Sequence, residues 1–449
     1  MNKLKTKNVS DFLNDELREY SMDVIENRAI PSVIDGLKPT ARKVIYVANK
    51  IWKTGNEKSM KVFQLTGTMA AEAYYHHGDQ SASAVITGMG QTFKNSLPLL
   101  EGIGQYGTLR STTAGAPRYI STKLSPNFRL LYKDFELLET QIDEGVEVEP
   151  KFFLPIVQTV ILNDSSPAIA IGFASNILNR NPKDVVSACI DYINGKKVKE
   201  LKPWFKEFSG TWTRDKENKN RWFAKGTYEV VKNEVHITEL PPDWTFEKYE
   251  SYLDDLIDKK VIKDYDNNSS SNIDYTLRFK RDDLKTMIEK GTLDGTLKIV
   301  KSYTENLTTL DENGKLKIFE TAEDILRYFV DFRLGYYQKR KDYLIDKYKK
   351  ELTEICYKAK FIKSIITKKL VVNNTPKDTI IKWLDDNKFE MMNDSYNYLL
   401  SMPIWSLTKE RYDDLMDKAK QKKEILDETK KLDPRQMYLD DLQELKKKV

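Results

Sequence analysis

Residues 101–125 read EGIGQYGTLRSTTAGAPRYISTKLS. Tyr119 stands directly behind Arg118, in a stretch of small and hydroxylated residues downstream of EGIGQYGTLR. Patterning alone leaves two readings for it: an ordinary aromatic anchor at the start of a strand or helix, or a phenol held out for chemistry. The rest of the chain has to decide between them.

At 449 residues the length predicts roughly three domains. A hydrophobic content of 40% is enough to build cores for them. Cys189 and Cys356 lie far apart without a CxxC, which excludes a disulfide framework and a zinc site and fits a reducing compartment. No apolar run approaches the ~20 residues of a bilayer span. The start, MNKLKTKNVSDFL, lacks the apolar core of a signal peptide, so a soluble, cytoplasmic protein is expected. Net charge is only +5, from 73 Lys and Arg against 68 Asp and Glu, so sign has to be judged locally. Arg28, Lys38, Arg42, Lys43, Lys50, Lys53, Lys58 and Lys61 face few acids and predict a local basic surface. Of the 3 histidines, two are adjacent in AYYHHGDQS, as a functional pair or as a hydrogen-bonded structural element.

In the first third, SDFLNDELREYSMDVIENR reads as a helix capped by Ser10, with Phe12, Leu13, Leu17, Tyr20 and Ile25 on its apolar face. The chain breaks at Pro31 and Pro39 and resumes as a basic helix. Short helices and tight turns fit a compact DNA-binding domain, though propensity does not separate it from any other small α-rich domain. From about residue 205 the period changes to two, and GTWTRDKENKNRWFAKGTYEVVKNEVHITELPP and SSSNIDYTLRFKR read as strands. TFEKYESYLDDLIDKK between them reads as a helix. TLDENGKLKIF predicts a hairpin, with Asn313 and Gly314 supplying the positive φ angles of a type I′ turn. After Thr321, apolar residues recur at spacings of three and four from Ile325 to Ile366, predicting a helix on the order of 70 Å long. SLTKERYDDLMDKAKQKKEILDETKK offers a return helix, and the aromatic, Met-containing segment between them a globular tip. The pair reads as a stalk, with a plain helical bundle as the alternative.

Several stretches taken together resemble the DNA breakage-reunion part of type IIA DNA topoisomerases: ENRAIPSVIDGLKPTARKVIY, KVFQLTGTMAAEAYYHHGDQS, GIGQYGTLRSTTAGAPRYI, AIAIGFASNI, ITELPPDWT and YNYLLSMPIWSLTKERYDDL. Their order and spacing cover nearly the whole chain. YHHGDQS and YLLSMPIWSLT resemble the eukaryotic branch more than bacterial gyrase, and the length resembles the medium-subunit form of T-even bacteriophages. The resemblance implies an α+β multidomain chain. It would comprise a winged-helix DNA-cleavage domain at 1–160, an α/β tower at 161–320, and an antiparallel coiled-coil stalk at 321–449 with a dimerisation tip near 370–405. It makes Tyr119 the nucleophile that attacks a DNA phosphodiester and holds the 5′ end. A phenol with an ordinary pKa of about 10 is a weak nucleophile at pH 7, so nearby cations such as the Arg118 guanidinium have to neutralise the growing charge. The same resemblance places Arg28 and His77 around the scissile phosphate, beside a divalent-metal cluster. It sets Lys38, Arg42 and Lys43 on the flanking backbone, where cations fix register without reading sequence. His76 and Ser81 fall beside the DNA. Without the motif, Arg42 and Lys43 read as a solvated helix face.

Ile169 matches the residue that wedges between base pairs, as minor-groove intercalating side chains do; the bland reading is a core strand residue. NDSSPAIAIG carries one residue more than the family's usual turn, with Pro167 where glycine is common, so the wedge is expected at Ile169 or offset from it. The chain shows no Gly-rich phosphate loop, no ATP-binding motif and no acidic set of a TOPRIM domain. The resemblance therefore places Mg²⁺ and ATP on an ATPase/TOPRIM partner subunit, with no metal site in this chain, which is expected to be active only with that partner. Ending at Val449, it leaves no room for a DNA-wrapping propeller, so relaxation, decatenation and unknotting are implied. Double-stranded DNA and a second copy of the chain complete the expected partners. A non-catalytic architectural DNA-binding dimer is the alternative from another class, and a helical scaffold a third.

Overall fold

The structure, a computed structural model, describes residues 8–55, 57–143, 145–164, 167–270 and 272–449. These form two compact units: the residues up to Arg333 together with Leu439–Val449, and Leu334–Tyr438.

The first unit begins with a helical run whose cap is Asn8 rather than Ser10, its side chain accepting from the Ser10 N–H. Phe12, Leu13 and Tyr20 of the expected apolar face are exposed, and burial sets in only at Ile25. Pro39 occupies the first position of the helix Pro39–Ile51, where its fixed φ suits a helix start and no N–H is missed. That helix buries Val44, Ile45, Val47 and Ala48, a stripe at helical spacing. Helices Val62–Glu72 and Asp79–Gly90 pack with it. A small antiparallel sheet completes this module. Ser121–Leu124 is its central strand, pairing Met60–Lys61 on one side and Leu100–Ile103 on the other. Tyr119 thus sits two residues before the strand that holds the module's sheet together.

The period-two region folds as expected into strands. Arg221–Lys225 lies between Thr211–Arg214 and Val300–Thr304. A four-stranded antiparallel sheet has Glu234–Glu239 and Tyr275–Arg278 at its centre. Its buried face, with Val235, Ile237, Tyr275 and Leu277, packs on Tyr249 and Leu253 of the helix Phe246–Asp258. The DENG segment does form a hairpin, Thr308–Leu310 with Leu316–Ile318, but only Gly314 takes a positive φ, +77°. The loop has five residues, and Asp311 Oδ1 accepts from the N–H groups of Asn313 and Lys315. That side-chain cap fixes a wider turn than the two-residue type I′ expected from the Asn-Gly pair.

The periodic stretch after Thr321 is one helix, Ala322–Ile366, of 45 residues. In the second unit it runs beside Lys409–Lys431, whose cap is Thr408. Leu415 packs on Ala359 and Ile362, while Lys422 reaches back to Glu351 at 2.7 Å, so the two helices run in opposite directions. Between them Phe361, Leu370, Ile380, Leu384, Phe389, Tyr396 and Leu399 form a separate small core. No helix among the described residues is long and apolar enough to cross a membrane. Cys189 and Cys356 are both free.

Candidate active site

The segment that carries Tyr119 is pinned at nearly every step. Gly107 has φ +80°, and a Cβ there would stand 2.8 Å from the Ser111 carbonyl, so only glycine permits this turn. The Gly115 N–H donates to Gln105 O, and the Tyr119 N–H closes a turn on Ala116 O at 2.8 Å. Val62 and Phe63, at the start of their helix, donate backbone N–H groups to Ile120 O and Pro117 O. Lys61 Nζ donates to the Tyr119 carbonyl at 2.9 Å. Ile120 is buried, and the Tyr106 hydroxyl donates to Ser121 O. At the far end of the loop, Arg110 is buried and spends its guanidinium on the other module. It donates to Glu239 Oε1 at 2.5 Å and to the carbonyls of Leu240, Pro241 and Trp244. Against this fixed backbone the Tyr119 side chain is 72% exposed. The Arg118 guanidinium lies 5.9 Å from its ring centroid. An aromatic anchor would be covered; this phenol is presented.

Two adjoining cavities lie here, the second of them bordering the segment. One, of about 610 Å³, gathers Arg28, Lys38, His77 and Ser81. The other, of about 900 Å³, is lined by Ala116, Pro117 and Arg118 together with Asp79, Gln80 and Ser83 of the helix Asp79–Gly90. They share Ala84, Gly88 and Lys94 as a common wall. His77 meets the buried Tyr75 ring edge-on, with centroids 5.4 Å apart, and both it and its neighbour His76 are exposed. Burial holds the Lys38 amine below the ordinary lysine range, with the Asp164 charge opposing that shift. Arg28, Lys38, His77 and Ser81 therefore come together, with the Arg118 side chain in the adjoining recess.

Arg42 and Lys43 do not join them. Arg42 is buried, its Nε donating to Asp35 Oδ2 at 2.8 Å and its Nη2 to Asp35 Oδ1 and Leu37 O. Burial works against its charge, and Asp35 outweighs that, so its pKa is raised. Lys43 Nζ is taken by Ala73 O at 2.6 Å and Glu149 at 2.9 Å. In this structure protein acceptors hold the charged atoms of both side chains that were expected on a DNA backbone. Conversely, the contact of Lys61 with Tyr119 spans 58 positions and has no signal in the sequence beyond a basic residue in a basic stretch.

Ile169 lies in a short hairpin, Ala168–Ile169 with Ala174–Ser175, closed by Ala170 N–H to Phe173 O and by Gly172 at φ +79°. Ala168 is buried against Ile25, Ile30 and Leu310. Ile169 points the other way and is 78% exposed, with Ile171 and Phe173 also exposed beside it. It is not a core strand residue. Ser165 and Ser166 of the NDSSPAIAIG stretch, which was expected to carry one residue more than the usual turn, lie outside the described residues. Among the described residues no three His, Cys, Asp or Glu side chains gather to hold a metal ion.

Residues 28–444 match the model of the family described as the A-type subunit of DNA gyrase/topoisomerase IV. The chain is 31% identical to the DNA topoisomerase medium subunit of Enterobacteria phage T4, over 99% of this chain and 100% of that one. It is 33% identical to the mitochondrial DNA topoisomerase 2 of Dictyostelium discoideum, over 97% of this chain but only 35% of the relative. Its fold matches the crystal structure of the Plasmodium falciparum topoisomerase II DNA-binding, cleavage and re-ligation domain, with a TM-score of 0.84 and 33% identity, over 97% of this chain and 64% of that one. The chain thus spans about a third of the length of this cellular relative and the whole of the phage protein.

Proposed function

The chain belongs to the DNA gyrase/topoisomerase IV family, on the side of its A-type subunit, and from that premise we propose that it is the DNA-breaking subunit of an ATP-dependent type II topoisomerase. The observation that carries this reading is the exposed Tyr119 phenol beside Arg118, on a backbone fixed from both ends. Tyr119 Oη attacks a backbone phosphorus of duplex DNA. The new O–P bond forms as the P–O3′ bond breaks, leaving the 5′ end on the tyrosine and a free 3′ hydroxyl. The phenol loses one proton and the 3′ oxygen gains one, so the exchange balances and re-ligation is its reverse. Arg118, Arg28 and His77 bring positive or proton-donating groups to the charge that develops on the phosphate. Ser81, at the start of the helix Asp79–Gly90, adds a hydroxyl beside an N-terminus that favours anions. Lys38 and His76 contact the flanking duplex. Arg42 and Lys43 hold the platform from within.

The small sheet and helices around Tyr119 support the winged-helix reading, the following sheets the tower, and the paired helices the stalk. Ile169, exposed on its hairpin, is the wedge that bends the duplex. At the tip of the second unit Ile404 and Trp405 are 85% and 82% exposed, which suits contact with a second copy of the chain. Two tyrosines related by a two-fold axis would then break the two antiparallel strands. Mg²⁺ and ATP belong to an ATPase/TOPRIM partner subunit in this reading, and the infected-cell cytoplasm is the setting in which the phage-like form would act.

The test is denaturant trapping. The chain, its partner subunit, DNA and Mg²⁺ are mixed, detergent and protease are added, and protein-linked 5′ ends are counted. Wild type should give the adduct. Tyr119→Phe, which removes one exposed hydroxyl and disturbs no packing, should bind DNA normally and give none. Adduct at normal levels from that variant would overturn the assignment.

A further inference from the structure

Lys94 belongs to no motif that the assigned function uses, yet it lines both the cavity that borders the Tyr119 segment and the one adjoining it. It also lines a third, of about 500 Å³, which extends to Pro167 and Asn176 near the Ile169 hairpin and to Trp244, Lys248 and Lys301 of the other module. Its backbone is seated firmly. Asn179 Nδ2 donates to its carbonyl at 2.6 Å and its own N–H donates to Gln91 O. The next residue, Asn95, ties its side chain to the carbonyls of Gly88 and Gln91. The half-buried side chain, by contrast, meets no carboxylate at ion-pair distance among the described residues. Its ammonium lies 5.9 Å from the centroid of the Phe93 ring. Asp164 lines the first and third cavities, but its charge acts on Lys38. Lys301 in the third cavity is already matched by Asp243 at 2.6 Å.

A cation held by its backbone at the junction of three open recesses, with no ion-pair partner among the described residues, is placed for an external polyanion. We propose that Lys94 is a further phosphate contact for duplex DNA, bridging the recess of Arg118 and the cavity that leads toward Ile169. The inference rests on the DNA-breaking reading above and adds a residue to it. The contact positions the duplex without reading its sequence.

One phosphate contact contributes about 0.9 to the slope of log K against log salt for B-DNA. At about 0.15 M salt the same relation makes one contact worth roughly fivefold in affinity. The experiment measures binding of the full chain to a linear duplex across a potassium chloride titration, for wild type, Lys94→Gln and Lys94→Arg, with the thermal midpoint of each recorded. Lys94→Gln should bind about fivefold more weakly and lose about 0.9 of the slope, while Lys94→Arg keeps both and the midpoints agree. A steep wild-type slope left unchanged by Lys94→Gln overturns the inference and leaves the DNA-breaking reading intact. The inference is equally overturned if the slope is unchanged and affinity falls only in step with a lowered midpoint. A wild-type chain that shows no salt-dependent DNA binding strikes instead at the reading on which the inference rests.

Discussion

Replacing Arg42 separates a scaffold role from a DNA contact, because the two roles move different observables. Asp35 is fully buried and accepts from Arg42 Nε and Nη2, from the Leu37 N–H and from the Phe153 N–H. In Arg42→Gln that carboxylate keeps its two backbone donors and loses its counter-charge, while the Leu37 carbonyl loses its side-chain donor. Removing one partner of a buried ion pair typically costs about 3–5 kcal/mol, since the other charge stays behind in a poorly solvating site. At about 2 °C per kcal/mol, the low end of the range for large domains, the midpoint of the first unit should fall by roughly 6–10 °C. Thermal unfolding followed by tryptophan emission reads this directly, because Trp52 and Trp222 are buried in that unit. DNA binding is then measured well below the lowered midpoint, and the slope of log K against log salt should match wild type. An unchanged midpoint with a slope reduced by about 0.9 would show that Arg42 holds phosphate and that its pairing with Asp35 opens when DNA arrives.

The remaining expectations concern the site itself. His77→Ala and Arg118→Ala should lower the cleavage rate by about 10²–10³ while changing duplex affinity far less, as measured by trapped adduct against time at saturating DNA; equal losses in both would assign them to binding. Ile169→Ala should reduce DNA bending and cleavage together, because bending costs of order 1–6 kcal/mol and the wedge offsets part of it. Unchanged bending by fluorescence transfer would place the wedge on Ile171 or Phe173. Lys61→Met removes the tie to the Tyr119 carbonyl and should slow cleavage about fivefold, the worth of roughly 1 kcal/mol, with affinity unchanged and Lys61→Arg restoring most of the rate. A loss confined to affinity would make Lys61 a phosphate contact.

The long helix Ala322–Ile366, the helix behind Pro39 and the strands after residue 205 were legible because each rests on a local period or a local stop. Other features turned on partners that periodicity does not contain. DGLKPTARK presents three cations that look alike in sequence; Asp35 claims Arg42, Glu149 claims Lys43 across 106 positions, and only Lys38 is left facing a cavity. Phe12, Leu13 and Tyr20 keep helical spacing yet stay exposed among the described residues, so the pattern predicted the helix and missed its exposure. The Asn-Gly pair signalled a hairpin correctly, but the Asp311 carboxylate reset its turn. Ile169 was ambiguous because a two-residue strand has one buried and one exposed position, and Ala168 took the buried one.

Under the proposed function, the way Tyr119 is held would couple breakage to shape. In the proposed reaction the phenol meets a phosphorus in line and needs a backbone that does not drift, and the hydrogen bonds from Lys61, Val62 and Phe63 supply that locally. The same loop is tied at Arg110 to Glu239 and to the carbonyls of residues 240, 241 and 244, which lead into the helix Phe246–Asp258. Glu239 is fixed in turn by the Ser209 N–H and hydroxyl, so the tie ends on the strands of the second module rather than on a loose side chain. In the proposed reaction, a displacement of that module by bent DNA would pull on the segment that presents Tyr119. Because the anchor is a buried guanidinium with four acceptors, it transmits such a pull better than it yields to it.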